Sequence, residues 1–92
     1  MSEPGYAIAW AAPARRALGR LPEKVATAVV EFLYRSLADN PYRTGKPLKL
    51  ELQGLYGARR GDYRVIYRVD DSRRRAGVLA IEHRADIYRP RQ

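Results

Sequence analysis

Six side chains of this 92-residue chain have the types and spacing for chemistry on an anion: Arg59, Arg64, Arg68, His83, Arg84 and Tyr88. Arginine presents a planar fork of donors that matches phosphate. It cannot serve as a base, because its pKa exceeds about 12. His83, with an ordinary pKa of about 6.5, can give or take a proton. Tyr88, ordinarily near pKa 10, becomes a base only where cations lower it; otherwise it orients or donates. The set suits a phosphodiester reaction without metal. RNA cleavage by its own 2′-hydroxyl needs a base for the 2′ proton, cations for the charge building on phosphorus, and an acid for the departing 5′ oxygen. A strand with a solvated arginine face and a structural histidine is the plainer alternative, and both readings stand at this point.

Other chemistries fall away. There is no Gly-rich phosphate loop, and Ser2, Ser36 and Ser72 have no nucleophile motif around them. Without cysteine there is no disulfide or thiolate, and a single histidine leaves any zinc site dependent on carboxylates. The sequence calls for no cofactor.

The central element is Arg59-Arg60-Gly61-Asp62-Tyr63-Arg64-Val65-Ile66-Tyr67-Arg68. At period two, Tyr63, Val65, Tyr67 and Val69 share one strand face, and Arg64, Ile66 and Arg68 the other. Gly61-Asp62 is turn chemistry, and residues 55–59 form a short strand before it. The stretch predicts a hairpin with a buried apolar face and an open arginine face. Upstream, Tyr6–Trp10 reads as a strand. Pro13 opens a helix carrying Ala14, Leu18 and Leu21, which Pro22 ends. Glu23 suits the first turn of a second helix. That helix holds Val25, Val29, Phe32, Leu33 and Leu37 in a stripe and stops at Asn40-Pro41. Residues 40–54 read as a long basic connection, with Lys46 and Lys49. Residues 70–75 are a second turn, and Val78–Glu82 a further strand. The order strand-helix-helix-strand-strand-strand predicts an α+β fold, with two helices packed on one face of a small, mainly antiparallel sheet.

Length allows one domain, residues 1–92. The net charge of +8, with 15 arginines among 18 basic residues, points to a polyanionic partner. No signal peptide and no membrane-spanning stretch is visible, so a cytoplasmic, membrane-free protein is expected.

Gly45-Lys46-Pro47-Leu48, Leu52-Gln53-Gly54-Leu55-Tyr56, the Arg59–Tyr67 block and His83-Arg84 through Tyr88 resemble the RelE toxins of the RelE/ParE superfamily of type II toxin–antitoxin systems. The resemblance covers nearly the whole chain. The Gly-Asp-Tyr-Arg-Val-Ile-Tyr block is specific for the superfamily and less so for activity within it. It implies a ribosome-dependent mRNA endonuclease acting in the ribosomal A site, with an acidic antitoxin as neutralising partner. By motif, Arg64 matches the family's phosphate-contacting arginine, Arg84 the arginine closing the last strand, and Tyr88 the C-terminal tyrosine. His83 stands where related toxins carry an acid–base candidate. Arg59, Arg68, Lys46 and Lys49 are the expected contacts to RNA and the ribosome. The chain departs from the family where some members carry Lys-x-Lys before the turn, since Gly57 and Arg59 stand there. The Arg84–Tyr88 spacing is also shorter than in some relatives. The rival implied function is that of the ParE branch, which inhibits DNA gyrase by binding without cutting RNA.

Overall fold

The computed structural model describes residues 5–87. Strand β1 (Ala7–Trp10) leads into helices α1 (Ala12–Gly19) and α2 (Glu23–Phe32). The antiparallel hairpin β3 (Tyr56–Arg60) and β4 (Tyr63–Asp70) is followed by β5 (Arg75–His83) and a short helix α4 (Arg84–Ile87). With β2 at Lys46–Pro47, the sheet order is β1-β5-β4-β3-β2, with β1 parallel to β5 and every other pair antiparallel. This is the expected α+β arrangement.

One sheet face carries Ala58, Val65, Tyr67, Ala76 and Val78, all buried against Ala14 of α1, Val29 of α2 and the leucines Leu33 and Leu37. Burial of each large apolar side chain contributes about 1.5–3 kcal/mol. That packing explains how both helices form without a capping side chain, their N-caps being Ala11 and Pro22. Helix α2 does not run uniformly to Asn40. It widens into a π-helical turn over Leu33–Leu37, where Ala38 N–H donates to the Leu33 carbonyl. The wider turn keeps Leu33 and Leu37 in the core while Tyr34 stays exposed.

The 40–54 connection is more ordered than its composition predicts. Helix α3 (Pro41–Thr44) is capped by the Asn40 side chain, which accepts from Arg43 N–H at 3.2 Å. Strand β2 (Lys46–Pro47) pairs with Tyr56 and Gly57 of β3, and a 3-10 turn covers Leu50–Leu52. The Tyr67 hydroxyl reaches across from β4 to donate to the Pro41 carbonyl at 2.5 Å, and burial pushes its pKa up to about 12. A second correction concerns Ile66. It lies on the arginine face, yet it is 5% exposed, so that face is not all cation. Beside it the register slips: Ile66 pairs with Ala80 and Tyr67 with Val78, leaving Leu79 as an extra residue in β5.

A tyrosine cluster ties the sheet's other end together. Asp71, in the β4–β5 turn, accepts from both Tyr6 and Tyr42 hydroxyls at 2.6 Å. The Arg74 guanidinium stacks on the Tyr6 ring at 4.2 Å. The two hydroxyl donors hold the Asp71 carboxyl below its usual range, and the accepting carboxylate pushes Tyr42 up to about 12. Among the described residues, no helix is long and apolar enough to cross a membrane.

Candidate functional site

Register decides which charged side chains can meet. Arg59 of β3 stands directly opposite Arg64 of β4, and Arg64 directly opposite Glu82 of β5. Facing residues share a face, so Arg59, Arg64 and Glu82 form one row across the open side of the sheet. Thr44, Gly45, Lys46, Leu48, Gly57, Arg59 and Arg64 line a cleft of about 480 Å³ there. The cleft floor is Gly57. A Cβ at that position would lie 3.1 Å from Leu48 Cδ2 and 3.4 Å from Arg64 Cδ, closer than ordinary contact, so the bare backbone there is what lets Leu48 and Arg64 pack over it.

Arg64 is held but not saturated. Its Nη2 donates to Glu82 Oε1 at 2.7 Å, with the two side chains 24% and 38% exposed. Its Nε is buried with no hydrogen-bond partner. Leaving such a donor unmade costs about 1–3 kcal/mol, while a partly exposed ion pair returns about 1 kcal/mol or less. The arrangement is poor as a stabilising device. Arg64 nevertheless lines the cleft with its side chain partly exposed, so the end of its guanidinium can meet an anion there.

The expected partners do not all gather here. Lys46 joins Arg59 and Arg64 at the cleft, whereas exposed Lys49 precedes the Leu50–Leu52 turn and is not in its lining. Arg68 is exposed four residues along β4 from Arg64, roughly 13 Å at strand rise. His83 faces the helices. It pairs with Tyr63, ring centroids 4.9 Å apart and edge-to-face, and its Nδ1 accepts the Ala85 N–H at 3.0 Å. The sheet thus separates His83 from Arg64, contrary to the single cluster expected of them. The reason is strand alternation, since Glu82 and His83 are consecutive and point to opposite faces.

Arg84 belongs to the sheet's end. Its N–H donates to the Asp62 carbonyl at 2.7 Å, and its guanidinium stands 3.8 Å from the Asp62 carboxylate. Tyr88 lies outside the described residues. Glu82 is the residue that sequence reasoning missed. Its signal was the alternation Ile81-Glu82-His83, readable only with the β4–β5 register in hand. On the helix side, Lys24, Val25, Ala28, Val29, Arg60, Gly61, Asp62 and Tyr63 enclose a mainly apolar groove of about 320 Å³. No group of three or more His, Cys, Asp or Glu side chains that could hold a metal occurs among the described residues.

With this geometry in place, the chain can be set beside known proteins. The family described as ParE toxin of type II toxin–antitoxin system, parDE, matches residues 8–88. Toxin RelE of Mycobacterium tuberculosis is 51% identical over 84 residues, spanning 91% of this chain and 87% of that protein. Toxin RelG of the same organism is 48% identical over 84 residues, spanning 91% and 97%. In the crystal structure of the toxin–antitoxin complex RelBE2 from that organism, one chain superposes with a TM-score of 0.83 at 44% identity, covering 87% of this chain and 99% of its own.

Proposed function

The chain belongs to the RelE/ParE superfamily of type II toxin–antitoxin toxins, and on that premise we propose that it is a ribosome-dependent mRNA endonuclease. The observation that carries this reading is the Arg59–Arg64–Lys46 cleft, where three cations line one cavity on the sheet's open face. Arg64 holds the scissile phosphate and spreads the charge that develops on it. Arg59 and Lys46 bind the flanking backbone, and Lys49 and Arg68 extend the basic surface toward ribosomal RNA. The arginines supply the positive charge a phosphoryl transfer needs, so the scheme calls on no metal. The RNA's own 2′-hydroxyl attacks, and the ribosome aligns the strand.

His83 contributes from the opposite face. By accepting the Ala85 N–H it shapes the turn from β5 into α4, and so sets Arg84 and the chain leading to Tyr88. Arg84 and Tyr88 take the family's roles of charge stabilisation and of stacking or orienting the nucleophile. An acidic antitoxin neutralises the toxin by covering this basic surface. The protein works in the cytoplasm, where ribosomes are.

Ribosomes carrying a defined mRNA, with free mRNA in parallel, test the reading when 3′ ends are mapped by primer extension. Cuts within the A-site codon and only on ribosomes are expected, and Arg64→Ala should abolish them while melting cooperatively like its parent. Intact mRNA in both tubes would refute it. It would turn attention to gyrase supercoiling, the activity implied by the ParE branch.

A further inference from the structure

We infer that Glu82 is the proton acceptor for the attacking 2′-hydroxyl. The inference rests on the endonuclease reading and adds the group that reading lacks. Arginine cannot take the proton. His83 lies across the sheet, edge-on to Tyr63, with Nδ1 already engaged by Ala85 N–H. Glu82 is the carboxylate in the row with Arg59 and Arg64, and it remains partly exposed.

The contact between Glu82 and Arg64 sets the geometry. Nε and Nη2 share one edge of the guanidinium. Glu82 takes Nη2, while Nε has no partner. Nε is buried, so a phosphate in the cleft that Arg64 lines accepts from the terminal nitrogens and is brought beside the carboxylate, in reach of the ribose 2′ oxygen attached next to that phosphate. The pair thus orients a base against the anion it serves, as a positioned base requires.

In the step, the 2′ O–H proton passes to a Glu82 carboxylate oxygen as the 2′ oxygen forms its bond to phosphorus. The bond from phosphorus to the 5′ oxygen breaks, and that oxygen takes a proton from solvent water in the open cleft. The products are a 2′,3′-cyclic phosphate and a 5′-hydroxyl end. Glu82 then returns its proton to water, so atoms and charge balance.

The test is single-turnover cleavage on mRNA-loaded ribosomes from pH 5 to 9 for the parent, E82Q and E82D, with ribosome co-sedimentation measured alongside. Glutamine keeps the size and one acceptor for Arg64 but cannot accept a proton at these pH values. With Glu82 as base, the parent rate should rise with pH less steeply than that of E82Q. E82Q should fall about 10²–10⁴-fold at pH 7, with its residual rate rising tenfold per pH unit as hydroxide takes over. E82D should recover part of the loss, and ribosome binding should be unchanged. An E82Q protein within threefold of the parent, with the same profile, overturns the role. So does a slower E82Q whose profile keeps the parent's shape, which would make Glu82 a positioning residue for Arg64. Intact mRNA with the parent protein overturns the endonuclease reading and this role together, an outcome distinct from either.

Discussion

Gly45 is the joint between α3 and β2, and a methyl group there is predicted to loosen the wall of the cleft. A Cβ on Gly45 would fall inside contact distance of the Tyr67 hydroxyl oxygen and 2.7 Å from the Gly57 carbonyl oxygen. The Gly45 backbone, at φ −122° and ψ −172°, is extended and open to alanine. The cost is therefore steric. Overpacking of this kind costs about 1–3 kcal/mol, offset by about 0.4–1 kcal/mol from the less flexible unfolded chain. Gly45→Ala should thus destabilise by about 1–2 kcal/mol, or about 4–15 °C in Tm for a domain this size. Tyr67→Phe removes the hydroxyl that meets the new methyl, but it strands the buried Pro41 carbonyl, at about 1–3 kcal/mol. Because one oxygen is both obstacle and donor, the double variant should be more stable than the sum predicts, by at least about 0.5 kcal/mol. Urea or thermal unfolding of the four proteins measures this cycle. Gly45→Ala as stable as its parent, or strict additivity, would refute the claim that this contact fixes the α3–β2 joint.

Two further outcomes can be checked. Replacing Lys46 and Lys49 with alanine should weaken ribosome association and lower its log–log salt slope by about one to two, roughly one for each phosphate no longer neutralised; an unchanged slope would place both lysines away from the ribosome. The Asp71 cluster should shape stability against pH. Hydrogen bonds from Tyr42 and Tyr6 lower the Asp71 carboxyl, so its contribution is fully present above the ordinary aspartate range and fades as pH falls through the depressed value. The raised tyrosines do the reverse: their contribution holds below the ordinary pKa of about 10 and is lost as pH rises through the folded values, about 12 for Tyr42. Asp71→Asn should flatten the acid limb of Tm against pH, and an unchanged limb would show that the carboxylate is not anchored by these hydroxyls.

Sequence legibility followed the range of the forces involved. Strand β4 and helix α2 repeat their apolar residues at 2 and about 3.6, and periodicity of that kind survives in any context. Strand β2 is two residues long and exists because Tyr56 and Gly57 are there to pair with it, so no local pattern announces it. Ile66 and the extra residue Leu79 depend likewise on which strand lies alongside. The cations are legible by type, and Arg59, Arg64 and Lys46 do meet at the cleft. Placing His83 with them fails because type and proximity in sequence carry no information about strand face, whereas counting by twos from Arg64's partner does.

The parallel pairing of β1 with β5 has a consequence for how the protein is made. Ala7 pairs with Arg75, so the first strand has no sheet partner until most of the chain has been synthesised. Arg64 waits for the same strand, since Glu82 is its neighbour there. Contacts so distant in sequence close late and fold slowly. A nascent chain halted before residue 75 can pair β2, β3 and β4 but lacks β5, and with it the partner of β1, the acid–arginine row and the core residues Ala76 and Val78.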